Sequence, residues 1–257
     1  MAGWLSPDSP LSARLAVGAA IAALDPEDTL AGYVPAEGPC PDDRPLRAHY
    51  QATAARVFRL PAHYGLMEEL TLGGRLLAAT PKLGDPNFRR AVVLIVEDDK
   101  DEGTLGVILN RPTEVPLDQV LEPWTPLATG PQVVFRGGPI SPNSALALAL
   151  AYGSEEPVGW RSLEGTPVMS RIGLVDLGAP PELLAGGITS MRVFAGYAGW
   201  GAGQLRDEID EGAWYVLPGD PADAFAAEPE GLWRAVLRRQ GGDLALVATF
   251  PDDPVWN

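Results

Sequence analysis

The stretch Gly196-Tyr197-Ala198-Gly199-Trp200-Gly201-Ala202-Gly203-Gln204-Leu205 sets four glycines and a tryptophan between a strand-like run, Met191 to Ala195, and a helix-like run, Gln204 to Glu211. Glycine is needed where φ is positive or where another backbone or a ligand comes close. A helix start also offers unpaired N–H groups and the positive end of a dipole. Three readings follow: a packed structural corner, a pocket for a small anion or nucleotide, or a loop that docks a protein. The spacing is G-x-G-x-G rather than the G-x-G-x-x-G of a dinucleotide-binding turn, and the bulky Trp200 sits inside it. The packed corner is the simplest of the three.

Upstream of this corner, Arg75 to Ala79 reads as a short strand and Asp85-Pro86-Asn87-Phe88 as a type I turn. Ala91 to Val96 is a continuous apolar run of the kind buried on both faces of a sheet. Asp98 to Gly103 joins it to Thr104–Leu109 as a hairpin. The carboxylates of that turn lack the alternate-residue spacing and distal Glu of a calcium loop, so a solvated turn is expected rather than a cation site. Asn110-Arg111-Pro112 ends the strand, because proline donates nothing to a ladder. Arg111 there either orders the loop through a local carboxylate or clamps an anion with its two-pronged guanidinium.

Pro116 to Leu121 is a candidate helix with proline near its start. Gln132 to Arg136 is a strand stopped by Gly137-Gly138-Pro139, a turn and one wall of any pocket nearby. Ala145 to Tyr152 and Ile172 to Leu177 are further strands, and a short helix lies between Pro180-Pro181 and Gly186-Gly187. After the glycine corner, Arg206 and Asp210 are spaced to pair on one helix face, and Gly212 supplies the stop. Ala213 to Leu217 reads as a strand. Pro229 to Gln240 reads as a helix burying Leu232, Trp233, Val236 and Leu237, and Leu244 to Phe250 as a last apolar stretch. Trp200, Trp214 and Trp233 read as core anchors. Hairpins mixed with separated short helices predict an α+β fold.

Net charge is −15, with Lys82 and Lys100 the only lysines. Phosphate neutralisation along a nucleic acid needs clustered Lys and Arg, so direct nucleic-acid binding and anionic membranes are disfavoured. The doublets Arg89-Arg90 and Arg238-Arg239 read as solvated surface pairs. Cys40 is the only cysteine, which excludes an intrachain disulfide. No apolar run approaches the roughly 18 residues of a membrane span. The chain is expected to be cytoplasmic, with no membrane association.

Residues 1–66 are rich in Ala and Pro and hold the cysteine and both histidines, His49 and His63. They read as a poorly ordered extension preceding a domain at 67–257, with Met67 a possible native start. Residues 67–257 contain neither His nor Cys. That removes imidazole bases, Cys and Ser–His nucleophile systems and His or Cys zinc sites. No catalytic constellation, cofactor motif or metal site is identified.

Taken together, Leu77-Ala78-Ala79-Thr80-Pro81, Asp85-Pro86-Asn87-Phe88-Arg89-Arg90, Gly106-Val107-Ile108-Leu109-Asn110-Arg111-Pro112, Gly137-Gly138-Pro139 and the glycine corner resemble the YqgE/AlgH family over roughly residues 70–255. Thr80, where that family usually has Met, and the 66-residue extension depart from it. The resemblance implies an α+β domain with a mixed, largely antiparallel, partly barrelled sheet surrounded by short helices, and a family without an established activity whose AlgH name reflects a proposed role in transcriptional regulation. Two functional expectations stand. One is a non-enzymatic binding or regulatory domain that acts through a protein partner. The other is a small-anion or nucleotide-binding protein or enzyme, with Asn110, Arg111, Gly138, Gly199, Trp200, Gly201 and Gln204 as candidate ligand-binding residues.

Overall fold

The computed structural model describes residues 71–153, 156–163, 165 and 167–251. The extension read at residues 1–66 lies outside them. The apolar run at Ala91 forms β2 (Val92–Asp99), flanked antiparallel by β1 (Arg75–Ala79) and β3 (Gly103–Ile108). Its alternation serves two cores. Val92, Leu94 and Val96 belong to the same core as Trp233, Val236 and Leu237, while Val93 and Ile95 belong to a second core with Trp200 and Trp214. Burying each such side chain contributes about 1.5–3 kcal/mol.

The chain then makes β4 (Pro112–Pro116), which pairs with β5 (Val133–Arg136). Between them the helix expected from Pro116 shrinks to α1 (Asp118–Leu121) and a 3-10 turn, Glu122–Leu127. Pro123 and Pro126 remove the N–H groups that a continuing α-helix needs. A third strand follows as β6 (Ile140–Ala151), then β7 (Trp160–Ser162) and β8 (Ile172–Val175). In β6 the sequence alternates leucine and alanine: Leu146 and Leu148 fill the main core, while Ala145, Ala147 and Ala149 face Trp124 and Trp160.

The remaining elements are β9 (Ile188–Trp200), α2 (Gln204–Asp210), β10 (Trp214–Pro218), α3 (Leu232–Gln240) and α4 (Gly242–Val247). The last apolar stretch of the sequence is therefore largely helical. The sheet runs β10-β1-β2-β3-β9-β6-β8-β7, with β4 and β5 attached through β9, and curls into a half-barrel with short helices about it. All of its pairs are antiparallel except β5 with β9.

β9 differs most from its sequence reading. The strand does not stop at Ala195 but continues to Trp200, so two of the corner's glycines lie within it. Its first part pairs with β6 and β5, and its last residues pair with β3, from Ala198↔Gly106 to Trp200↔Thr104. The hand-over occurs at Gly196, with φ +68, a left-handed conformation that favours glycine. Gly137 fills the gap: its N–H donates to the Ala195 carbonyl (2.7 Å) and its carbonyl accepts from Ile108 N–H (2.8 Å). A methyl group on Gly196 would fall 2.7 Å from the Gly138 oxygen and 2.8 Å from the Ile140 oxygen. One on Gly138 would overlap the Tyr197 carbonyl.

Arg192, on β9, is 2% exposed and sits in the main core with its guanidinium carbon 4.2 Å from the Phe135 ring centre. It donates to the carbonyls of Ala224 (3.1 Å), Gly130 (3.0 Å) and Ala226 (3.0 Å). Burial lowers its pKa to about 10. Thr80, the departure from the family's usual Met, is buried and donates to the Gly212 carbonyl at 2.9 Å.

Gly138→Ala forces backbone against backbone, whereas a methyl at Gly199 meets only the movable end of Ile140. Urea unfolding is expected to give a loss of at least about 3 kcal/mol for Gly138→Ala and about 1 kcal/mol or less for Gly199→Ala. Equal losses would show that the crossing is not the tight point.

Candidate functional site

The seven candidate residues fall into three settings. Gly138 and Gly199 belong to the backbone crossing. Trp200, Gly201 and Gln204 gather around Glu208. Asn110 and Arg111 line a separate cavity.

At the glycine corner the polar groups meet one another. Gln204 Oε1 accepts from Gly201 N–H (3.0 Å), and Gln204 Nε2 donates to Glu208 Oε1 (3.0 Å). Glu208 Oε2 accepts from both indoles, Trp200 Nε1 (3.0 Å) and Trp214 Nε1 (2.9 Å). The two rings and Phe88 form a cluster with centres 5.5–6.1 Å apart, in which Trp214 stands edge-on to both Phe88 and Trp200. Gly203, at φ +78, starts α2. These bonds support the packed-corner reading.

A cavity of about 260 Å³ beside this corner is lined by Asp98, Asp99, Thr104, Gly203 and Arg206, among others. Its carboxylates serve the hairpin. Asp98 accepts from Leu72 N–H (2.7 Å), Thr104 Oγ1 (2.7 Å) and Arg206 (3.3 Å). Arg206 thus reaches across to the hairpin rather than serving only its own helix face. Asp99 accepts from the Glu102 and Asp101 amides, which hold its carboxyl below the usual range. Among the described residues no group of three or more His, Cys, Asp or Glu could hold a metal ion.

The other cavity, about 350 Å³, has a different character. Arg89, Arg90, Arg111 and Arg234 line it, with Asn110, Trp233 and a single carboxylate, Glu230. Each part is positioned from the backbone. In the Asp85 turn, the Asp85 side chain accepts from Asn87 N–H (2.7 Å), and its carbonyl accepts from Phe88 and Arg89. Arg90 then takes φ +54, a conformation that costs a non-glycine residue about 1–3 kcal/mol. Asn110, 3% exposed, locks this turn to β2. Its Oδ1 accepts from Val92 N–H (2.9 Å) and its Nδ2 donates to the Arg90 carbonyl (2.9 Å).

The Arg90 guanidinium lies 4.3 Å from the centre of Trp233, a cation–π contact, and Trp233 Nε1 donates to the Ala79 carbonyl (2.8 Å). Arg111 donates to the carbonyls of Asn110 (3.2 Å) and Arg89. Loss of solvent and then the nearby Arg136 lower its pKa. No carboxylate pairs with Arg111 among the described residues.

The two cavities share no lining residue. The sequence reading joins Arg111 to Gly201 and Gln204, whereas the structure brings Arg111 together with Arg89, Arg90, Trp233 and Arg234. The doublets also differ from expectation. Arg90 is half-buried on Trp233, and Arg239 makes a two-pronged pair with the buried Asp223 at 2.8 and 2.7 Å. The available signal was position: Arg89-Arg90 stands between a proline turn and a fully apolar strand, where a solvated pair has little room.

A family description, AlgH-like, matches residues 76–245. The chain belongs to the AlgH-like family. Over 197 residues the AlgH-like chain is 57% identical to a UPF0301 protein of Streptomyces coelicolor, spanning 75% of this chain and 99% of that one. It is similar to the crystal structure of a Corynebacterium diphtheriae protein, with a TM-score of 0.64 and 34% identity over 69% of this chain and 91% of the other. The solution structure of Pseudomonas aeruginosa AlgH matches with a TM-score of 0.50 and 30% identity over 70% and 95% of the two chains. No helix of the described AlgH-like domain is long and apolar enough to cross a membrane.

Because Asn110 satisfies a buried backbone donor, Asn110→Ala leaves Val92 N–H unpaired. The expected cost in chemical denaturation is about 1–3 kcal/mol. A neutral result would mean that the amide is not what locks the turn.

Proposed function

We propose that this AlgH-like domain is a non-enzymatic binding protein whose ligand carries a phosphate or carboxylate group, held in the arginine-lined cavity. The observation that carries the reading is Arg111. Its guanidinium is desolvated, stands near Arg136, donates to carbonyls and has no carboxylate partner among the described residues. Three further arginines converge on the same cavity, in a chain of net charge −15. Gathering like charges in a partly desolvated place is costly, and an anion offsets that cost. Guanidinium forks also match the oxygens of phosphate and carboxylate. A volume of about 350 Å³ lies in the ordinary range of small-ligand pockets.

The absence of imidazole and thiol groups from residues 67–257 favours holding a ligand over transforming it. The reading moves the anion site from the glycine corner to the end of β3. A partner protein, the first of the two sequence expectations, would offer the same chemistry through an Asp or Glu side chain. Free anions test the cavity itself.

Thermal unfolding is measured with inorganic phosphate, pyrophosphate and citrate against chloride at equal ionic strength. A saturable rise in Tm is expected, with a ligand at one hundred times its Kd adding about 2.7 kcal/mol. Arg111→Gln is expected to abolish the rise, and Arg111→Lys to leave a weaker one, because lysine keeps the charge but not the fork. An unchanged rise in Arg111→Gln, or no rise with any of the anions, overturns the reading.

A further inference from the structure

Arg111 has a second arginine directly opposite it. Arg136 N–H donates to the Arg111 carbonyl at 2.8 Å, one step beyond the strand pair Pro112↔Phe135. Residues that face each other across antiparallel strands send their side chains to the same face, with Cβ atoms about 4.5–5.5 Å apart. Like charges so placed repel, and the positive charge of Arg136 contributes to the lowered pKa of Arg111. Both arginines spring from fixed backbone. Arg136 pairs with Ala195 on β9, and the residue after it, Gly137, is bonded to Ala195 and Ile108. Arg111 follows Asn110, whose amide ties β2 to the Arg90 carbonyl. Arg136 is exposed and stands outside the lining of the cavity, whereas Arg111 is partly buried within that lining. Arg111 gives an N–H to each of the Asn110 and Arg89 carbonyls, leaving the other donors of its fork for a ligand.

We infer that Arg111 and Arg136 form a cross-strand clamp whose ligand is a small phosphate monoester in its doubly charged form, rather than a carboxylate or a phosphodiester. This rests on the reading of the cavity as an anion site and names the anion. The juxtaposition of the two guanidiniums carries it. A terminal phosphate has about two negative charges above about pH 6 and three accepting oxygens. It can accept a fork from each guanidinium and offset both charges at once. A carboxylate or a phosphodiester brings a single charge and two free oxygens, which satisfy one fork and leave the second charge opposed. The other charged groups of the cavity, Arg89, Arg90 and Arg234 against Glu230, favour the more highly charged ligand further. Because both arginines stand on paired backbone, little ordering is needed when the ligand arrives. A cavity of about 350 Å³ suits a small ester.

The experiment is calorimetry on the full chain at constant ionic strength, with glycerol 3-phosphate, dimethyl phosphate and acetate as probes. Glycerol 3-phosphate is expected to bind wild type at least about tenfold more tightly than either singly charged probe at neutral pH. Its affinity is expected to rise about three- to tenfold between about pH 5.5 and pH 7.5, as the second phosphate proton leaves. Arg136→Gln is expected to weaken glycerol 3-phosphate about tenfold and to flatten that rise, and Arg136→Lys to restore part of both. Loss confined to the monoester, with the flattened pH profile, supports the clamp. Unchanged monoester affinity in Arg136→Gln overturns it while the anion site stands. An equal loss for all three probes with the pH rise intact also overturns it, because Arg136 then acts on the fold or through its charge at a distance. Acetate or dimethyl phosphate binding as tightly as the monoester overturns the assignment to phosphate monoesters. Tighter binding of a phosphoserine peptide than of glycerol 3-phosphate overturns the small-molecule source. Binding of no probe overturns both the clamp and the anion site. Should Arg136→Gln fail to fold, the wild-type and Arg136→Lys pH profiles decide: a flat wild-type profile overturns the clamp.

Discussion

Three pieces of backbone meet without side chains between them at Gly137, Gly138 and Gly196. Gly137 is hydrogen-bonded to β9 on one side and to the end of β3 on the other, while Gly196 turns β9 from one set of partners to the next. Because β9 pairs with β3, β5 and β6, it is the member through which the two parts of the sheet are joined. A Cβ atom at the crossing would separate strands that must touch, so the closeness of main chains is enough to require the glycines.

The crossing also explains where the polar site lies. Ile108 is bound to Gly137, and directly beyond it Asn110 and Arg111 leave the sheet. There the amide of Asn110 ties β2 to the Arg90 carbonyl, and arginines gather over Trp233. A common habit runs through the domain: Arg90, Arg111, Arg192 and Arg234 all donate to main-chain carbonyls. Guanidinium groups here bind loops and chain ends to the sheet. Where several do so in one place, the positive charge they carry remains concentrated whatever their hydrogen-bonding role.

Much of the architecture is legible in local pattern. The apolar run at Ala91 announces a strand covered on both faces, because burial on two sides leaves no polar positions, and Ala145 to Tyr152, whose period decides nothing, reads as another by its shortness. The helix burying Trp233, Val236 and Leu237 declares itself by its spacing. The glycine corner misleads because its glycines have different causes: Gly196 and Gly199 belong to a strand and Gly203 to a helix start. The helix at Gly242–Val247 is hidden because a short apolar stretch has no decisive period. The arginine cavity is hidden more deeply. Its contacts join Arg90 to Phe250 and Trp233 to Ala79, over 160 and 154 residues of chain. No window of sequence spans them. What the sequence does offer is Asn110-Arg111 at a strand end, which is one wall of the cavity.

The two outermost strands are unlike the inner ones. β7 has three residues, and its Arg161 reaches Glu97 on β2 at 2.6 Å, while β10 stops at Pro218, which has no N–H to offer. An open sheet invites recruitment of foreign strands along its free margins. Here one margin is too short to serve as a template and carries a charge, and the other ends in a residue that cannot extend a ladder. The curled sheet therefore has blunt borders at β7 and β10, which disfavours fibrous self-association there despite an interior so rich in valine, leucine and alanine.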